Sequence, residues 1–325
     1  MLDLSSVYFG KKVFITGGCG FIGHAVATRL VELGALVTVF DCRLSRKNPE
    51  INYIEGDIRD PVQLEQAMAG QQYVFHTSAI LGVEKIIDIP LEVLEINLGG
   101  TVHALRAAAA VGAERFLFTS SSEVYGEPRK TPIAEDDLTA PVSTYGVAKL
   151  AAEAWCRAFC QEAGLNCTII RLFNIYGPGQ TEKFVMPKFI ARVMDNQPPI
   201  IFGNGEQSRS YTFITDAVRG ILLAAAADAA VGQTFNIGND QEISLNELAR
   251  FIINHSGYDL EPIYRPFGDG IRVETREILR RQPDISKARS VLGFRISVPW
   301  PEGVARFTES YIQQNKMTRQ LSEQH

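Results

Sequence analysis

Long apolar runs are missing from this chain. Nothing in its 325 residues reaches membrane-spanning length, and residues 1–10 carry charge and aromatics ahead of Lys11 and Lys12 in place of the apolar core of a secretion signal. No membrane role is expected, and a cytoplasmic location is. Cysteine is scarce as well: Cys19, Cys42, Cys156, Cys160 and Cys167 are an odd number, include no CxxC pair and have no histidine at ligand spacing. That argues against a disulfide framework and a zinc site, and no metal is expected. Cys156 and Cys160, one helical turn apart, read as small buried residues of a helix. Basic runs are short and the net charge is −5, so nothing marks a nucleic-acid surface. Repeats and low-complexity linkers are absent. What remains is 46% hydrophobic and 21% charged, enough for one large or two unequal domains acting on a small molecule.

Residues 12–16 (KVFIT) read as a buried strand, GGCGFIG follows at 17–23, and a helical pattern over 25–33 ends at Gly34, a C-cap signal. Strand, glycine turn and helix in this order make the glycines a site. Gly17 allows a tight turn, Gly20 lets backbone approach a pyrophosphate, and Gly23 lets the helix pack on the strand. The second strand ends at Asp41, roughly 20 residues beyond the loop, where a carboxylate accepts from adenosine ribose hydroxyls and repels a 2′-phosphate. NAD is favoured over NADP on this ground. Arg43 and Arg46 keep the alternative open, because a guanidinium accommodates a phosphate, and Asp41 as a plain turn residue is the other reading.

The alternation continues through a strand at 51–54 leading to Asp57 and Ile58, a helix through Leu64 and Met68, a strand at 73–75, a helix from about Leu91 through Asn97 to Ala110, and a strand at 115–119 running into SSSEVYG at 120–126. Another strand at 167–172 leads to FNIYGPG at 173–179. Strands alternating with helices predict an α/β fold, a Rossmann-type doubly wound parallel sheet with ligands outside the carboxyl ends of its strands. Beyond it Pro187, Pro198, Pro199, Gly203 and Gly205 break the rhythm, which predicts a smaller mixed α/β region. The expected division is residues 1–174 with about 213–242 for cofactor, and about 175–212 with 243–325 for substrate. A helix from about Asp216 to Ala230, a strand at 234–238, a capping box at Ser244 and Glu247, an arginine-rich stretch at 272–281 and a frayed end from Gln313 complete the reading.

Tyr145 and Lys149 open an alanine-rich helical run and stand at i and i+4, on one helix face. A phenol ionises near ~10, and an ammonium held beside it favours the phenolate, which makes a base. Taken alone, such a pair is an ordinary feature of a helix surface.

With the motifs in order, the chain resembles the extended short-chain dehydrogenase/reductase family, in particular its nucleotide-sugar epimerases, dehydratases and decarboxylases. The resemblance is carried by TGGCGFIG (16–23), SSSEVYG (120–126), YGVAK (145–149), RLFNIYGPGQ (171–180), GNGEQSRSYTFI (203–214) and PDISKA (283–288). It implies an NAD-dependent enzyme acting on a nucleotide sugar, with UDP the expected nucleotide, by transient oxidation at carbon 4. In that reading Tyr145 takes the hydroxyl proton, Lys149 binds the nicotinamide ribose and lowers the Tyr145 pKa, and Ser121 hydrogen-bonds the sugar hydroxyl. Gly17, Gly20, Phe21, Ile22, Gly23, Asp41, Asp57, Ile58 and Asn97 match cofactor positions. Asn174 and Arg209 match positions that hold the nucleotide pyrophosphate, and Phe202 one that stacks on the base. A homodimer is implied, with helices starting near Leu91 and Tyr145 pairing with their copies across the small residues Ala151, Ala152 and Ala154.

Family members diverge after the keto-sugar forms. The residues that speak to this are Ser122 and Glu123. Many 4-epimerases carry a small or hydroxyl residue where Glu123 stands, while an acidic residue there resembles dehydratases and UDP-glucuronate decarboxylases, where it is a second acid/base. Arg281 falls at a position suited to a substrate carboxylate. Against these, the sequence around Tyr145 departs from the UDP-xylose-forming enzymes, and Ser122 replaces the aspartate of the usual 4,6-dehydratases. The expected reaction is UDP-hexose or UDP-hexuronate 4-epimerisation, with decarboxylation or dehydration through Glu123 as the alternative and Glu123 as a loop-holding carboxylate also open. A non-catalytic nucleotide-binding scaffold is the remaining reading, disfavoured because both Tyr145 and Lys149 are present.

Overall fold

Strand β1 (Lys12–Thr16) shows how the sheet is built: Val13 and Ile15 pack on one face, Phe14 on the other, and all three are fully buried. Alternation at period two with both faces apolar requires helices above and below. The structure, a computed structural model, describes residues 2–82, 87–268 and 278–322. β2 (Leu36–Asp41), β3 (Asn52–Glu55), β4 (Tyr73–His76), β5 (Arg115–Ser121) and β6 (Cys167–Leu172) join β1 in one sheet. After the short strands β7 (Ile175–Tyr176), β8 (Ile200–Phe202), β9 (Ser208–Arg209) and β10 (Thr212–Phe213), β11 (Thr234–Ile237) returns to it. The seven strands are ordered β11-β6-β5-β4-β1-β2-β3, and every neighbouring pair is parallel. Between β1 and β4 the direction of winding reverses, so the crevice at their carboxyl ends is where a ligand fits.

On one face lie α1 (Leu4–Tyr8), α2 (Phe21–Glu32) and, later in the chain, Ile214–Ala226, through Val26, Leu30 and Ile221. The other face is covered by α3 (Pro61–Met68), α4 (Pro90–Leu94), a π-helical turn at Glu95–Gly99, α5 (Gly100–Ala110) and α6 (Thr144–Glu162). Leu64, Leu105, Ala108, Ala152 and Cys156 there meet Phe14, Phe116 and Phe118. Burying one such phenylalanine is worth roughly 1.5–3 kcal/mol, so truncating Phe116 would open the core of this layer.

Beyond β6 the strands are short. β7 pairs with β10, β8 with β13 (Ile263–Arg265), and β9 lies between β12 (Ile243–Ser244) and β14 (Arg280–Arg281). Arg209 and Arg281 are register partners in that last pair. The capping box at Ser244 and Glu247 is present. Three expectations change in detail. The helix expected through Asn97 is interrupted by the π turn, because the Asn97 amide is drawn to the backbone of Ile80. The helix expected to reach Ala230 ends at Ala226, with a single 3₁₀ turn at Asp228–Ala230. The end expected to fray from Gln313 continues as the helix Trp300–Ser322. Of the arginine-rich stretch, 272–277 lie outside the described residues.

Candidate active site

The glycine loop is shaped by contacts that a side chain would break. Gly17 has φ +69°, and a Cβ there would come within 2.7 Å of Ser78 Cα, at the start of the segment following β4. Gly23 faces the Gly17 carbonyl so closely that a Cβ would overlap it. Gly20, exposed, is the N-cap of α2 and makes no side-chain cap, so the first N–H groups of the helix, at Phe21 and Ile22, point toward the loop mouth. Asp41 is fixed at the end of β2: its Oδ2 accepts from the Cys19 amide at 3.0 Å and its Oδ1 from the Arg43 amide at 3.1 Å. A loop of this form fits a dinucleotide phosphate on the helix terminus and a ribose on the carboxylate.

Three other predicted cofactor residues have local partners. Asp57 is paired with Arg59 at 2.5 Å, which holds its carboxyl below the usual range, while Ile58 packs against Gly100. Asn97 accepts from the Ile80 amide at 2.8 Å and donates to the Ile80 carbonyl at 2.9 Å. Its amide therefore fixes the loop after β4, and any effect on cofactor passes through that loop.

The carboxyl end of β5 assigns each hydroxyl a different task, because successive strand residues face opposite ways. Thr119 donates to the His76 carbonyl at 2.9 Å, and its own carbonyl accepts from Lys149 Nζ at 2.8 Å. Ser120 donates to Glu153 at 2.6 Å on the other side. Ser121 caps the 3₁₀ turn Ser122–Tyr125 by accepting from the Glu123 amide at 3.2 Å, and its hydroxyl is close enough to the Tyr145 phenol to pull that group's pKa down. Ser122 itself is buried.

Tyr145 and Lys149 do share a face of α6, with the ammonium 5.8 Å from the Tyr145 ring centroid. The expected lowering of the phenol does not follow from the protein's own groups. Burial, then the Glu123 carboxylate, push Tyr145 above its ordinary 10.0, and only the Ser121 hydrogen bond opposes them. Burial likewise pulls Lys149 down to about 7. Desolvation drives both groups toward neutrality, and it outweighs their helical spacing. Glu123, half-buried, has a specific partner: Ser143 Oγ donates to its Oε2 at 2.6 Å while accepting from the Gly146 amide as the N-cap of α6.

Beneath this site runs a buried polar network that the sequence reading did not single out. Glu153, with no exposure, binds Arg171 twice, at 2.9 Å to Nε and 2.8 Å to a terminal nitrogen. Burial alone would pull Arg171 down, but Glu153 outweighs it and keeps the guanidinium charged. Arg171 reaches the Tyr125 hydroxyl at 2.8 Å, Tyr125 donates to Asn236 at 2.7 Å, and Asn236 donates to the Ile133 carbonyl at 2.9 Å. The available signal was Glu153 one turn past Lys149 and an arginine inside a mostly apolar strand.

Across the cleft, Asn174 adopts φ +40°, an uncommon conformation for a non-glycine residue, and its Oδ1 is buried with no protein partner. Arg209 donates to the Ser208 carbonyl at 2.8 Å, and Arg281, largely buried, stands beside it in register. Phe202 closes β8, half-buried. The structure thus gathers Tyr145, Ser121, Glu123 and Lys149 at one strand end and Arg209 with Arg281 on a separate small sheet.

Residues 13–238 match the NAD dependent epimerase/dehydratase family. A UDP-N-acetyl-alpha-D-glucosaminuronate decarboxylase of Bacillus cytotoxicus is 32% identical over 312 residues, covering 90% of this chain and 95% of that protein. The UDP-glucose 4-epimerase of Thermotoga maritima, solved with UDP-glucose, superposes with a TM-score of 0.87 at 32% identity, over 93% of this chain and 99% of that one. MoeE5, solved with UDP-glucuronic acid and NAD, gives 0.85 at 30% identity over 93% and 99%. The glycine loop and the Tyr145–Lys149 helix thus stand in a fold shared over nearly its whole length with NAD-binding proteins, and the chain belongs to the NAD dependent epimerase/dehydratase family of enzymes.

Proposed function

We propose that the chain interconverts a UDP-hexose or UDP-hexuronate with its 4-epimer. NAD, when bound, supplies the acceptor and donor of hydride. Tyr145 is the proton acceptor for the 4-hydroxyl once the positive charge of bound NAD+ offsets the burial that raises its phenol, Ser121 orients that hydroxyl, and Lys149 holds the nicotinamide ribose. Asn174, Arg209 and Phe202 take the nucleotide diphosphate and base. Residues 1–174 with about 213–242 form the cofactor part, and about 175–212 with 243–325 the substrate part. The observation that carries the choice of reaction is the 2.6 Å hydrogen bond from Ser143 to Glu123. A carboxylate held by the N-cap serine of α6 is a fixed wall beside Tyr145 rather than a free second acid, which favours return of the hydride over elimination.

A second reading, decarboxylation of a UDP-hexuronate, is favoured by one feature: Arg281 lies in register with Arg209, so one guanidinium can serve the diphosphate and the other a sugar carboxylate. Proton NMR of the protein with NAD+ and UDP-glucose, UDP-N-acetylglucosamine or their uronic acids separates the readings. Products differing only at carbon 4 support epimerisation, and loss of carbon dioxide or water refutes it.

Among the described residues no helix is long and apolar enough to cross a membrane. Five free cysteines suit a reducing compartment, and a cytoplasmic location is part of the proposal. So is a homodimer. Leu91 (74% exposed), Val147 (47%) and Trp155 (40%) leave an apolar face on α4 and α6 that a second copy would cover. Light scattering should give twice the 35.9 kDa chain mass, and a monomer at micromolar concentration would overturn it.

A further inference from the structure

The segment after β2 folds back over the glycine loop. Cys19 Sγ lies 3.7 Å from the Arg46 carbonyl, and the Cys19 amide is held by Asp41, so residues 41–46 and the loop form one unit. From this unit the Arg46 side chain crosses to the other part of the protein, where its guanidinium donates to the Gly179 carbonyl at 2.8 Å. Gly179 has φ +88°, and a Cβ there would stand 3.3 Å from the guanidinium. Gly179 follows β7 and belongs to the same FNIYGPGQ run as Asn174. Arg46 therefore bridges the segment that shapes the cofactor loop and the segment that carries a substrate residue.

The charge environment adds a direction. His24 sits one turn into α2, its Nδ1 buried with no protein partner, and its pKa is lowered by burial and by Arg46. Asp41, the acid of this segment, is already bound to two backbone amides. The Arg46 backbone lies against Cys19 of the glycine loop, and its guanidinium is close enough to lower a histidine one turn into α2, which makes this a positive corner that suits an anion.

We propose that Arg46 binds the cofactor diphosphate with one edge of its guanidinium while the other keeps the Gly179 carbonyl, so that filling the cofactor site orders the Gly177–Gln180 side of the substrate site. The assignment also bears on cofactor choice. Held at Gly179, Arg46 is directed away from an adenosine 2′-phosphate, and of the two arginines after Asp41 only Arg43 remains to receive one.

The test uses the full chain and two variants, Arg46→Gln, which keeps a donor for Gly179 without the charge, and Arg46→Lys, which keeps the charge without the fork. Calorimetry gives the affinities for NAD+, for ADP-ribose and for adenosine, which lacks the diphosphate, and for UDP with and without saturating NAD+. Circular dichroism confirms the fold of each variant. Arg46→Gln should weaken NAD+ and ADP-ribose in parallel by roughly tenfold or more, the worth of a charge-assisted hydrogen bond, with adenosine unchanged. The gain in UDP affinity on adding NAD+ should be present in the parent and absent in both variants. Arg46→Lys should recover part of the NAD+ affinity. NAD+ affinity within twofold of the parent in Arg46→Gln, equal weakening of adenosine, or an unaltered UDP gain would each overturn the proposal. None of these readouts depends on which reaction follows.

Discussion

The two sides of the cleft are made differently. On the large-sheet side, the groups around Tyr145 rest on a network with no slack: the Glu153 and Arg171 side chains are 0% and 5% exposed and bound to each other, to Ser120 and to Tyr125. On the small-sheet side, Arg209 and Arg281 sit on strands of two residues, and Asn174 holds a conformation that needs its surroundings to maintain it. Burial fixes the groups around Tyr145 through the six parallel pairings of the large sheet, while short strands and loops present Arg209 and Arg281, the charges proposed to meet the substrate. Chemistry and specificity can therefore be altered separately, and each prediction below breaks or sharpens that separation.

The largest effect is expected at the reacting side. Tyr145→Phe removes one hydroxyl and should lower turnover by about 10²–10⁴-fold with the circular dichroism spectrum unchanged. A scaffold protein would show no change in function. Next comes the network: Arg171→Leu leaves Glu153 charged and buried, and should cost about 3–5 kcal/mol in urea denaturation. Across the cleft, Arg209→Ala should raise KM for the nucleotide sugar about 10–100-fold with little change in kcat, since the phosphate contact proposed for it would be made in ground and transition states alike.

His76 sharpens the comparison through pH. It is buried between Phe116 and Phe118, bonded to Thr16 and Thr101, and burial with the Lys149 charge lowers its pKa to about 3. Between that value and the unfolded value near ~6.5 the unfolded state binds a proton that the folded state does not, so this contribution is fully present above pH ~6.5 and is lost as pH falls toward 3. The unfolding free energy from urea denaturation should drop by about 1.4 kcal/mol per pH unit of acidification within that window from this residue, and His76→Asn should flatten the slope. The smallest effect belongs to the exposed pair Arg29–Glu32, whose side chains are 50% and 55% exposed: Arg29→Ala should change stability by less than about 1 kcal/mol.

How much was legible follows the same division. Strands such as β1 and β5 were readable because short continuous apolar runs between turn signals leave few options, and the glycine loop was readable because its context completed it. The Tyr145–Lys149 face was readable from spacing, but their protonation was not, since desolvation depends on tertiary packing that no local pattern contains. Asn97 shows the same limit: a helix through it was anticipated, its grip on Ile80 and the π turn were not. Glu153 and Arg171 lie 18 residues apart and meet only because β5 and β6 pair beside α6. Arg209 and Arg281 were named separately, and only strand register made them a pair.

Among all these measurements, the fate of a label at carbon 4 bears most directly on the central claim, that the sugar is oxidised at carbon 4 and re-reduced within one binding event. UDP-hexose deuterated at carbon 4 would be incubated with the NAD+-loaded protein in ordinary water and analysed by NMR and mass spectrometry. The account predicts a 4-epimer that keeps its deuterium at carbon 4, with no net change in cofactor. A product that has lost the label, or one that keeps it but has lost water (or, from the equally labelled UDP-hexuronate, carbon dioxide), would contradict it.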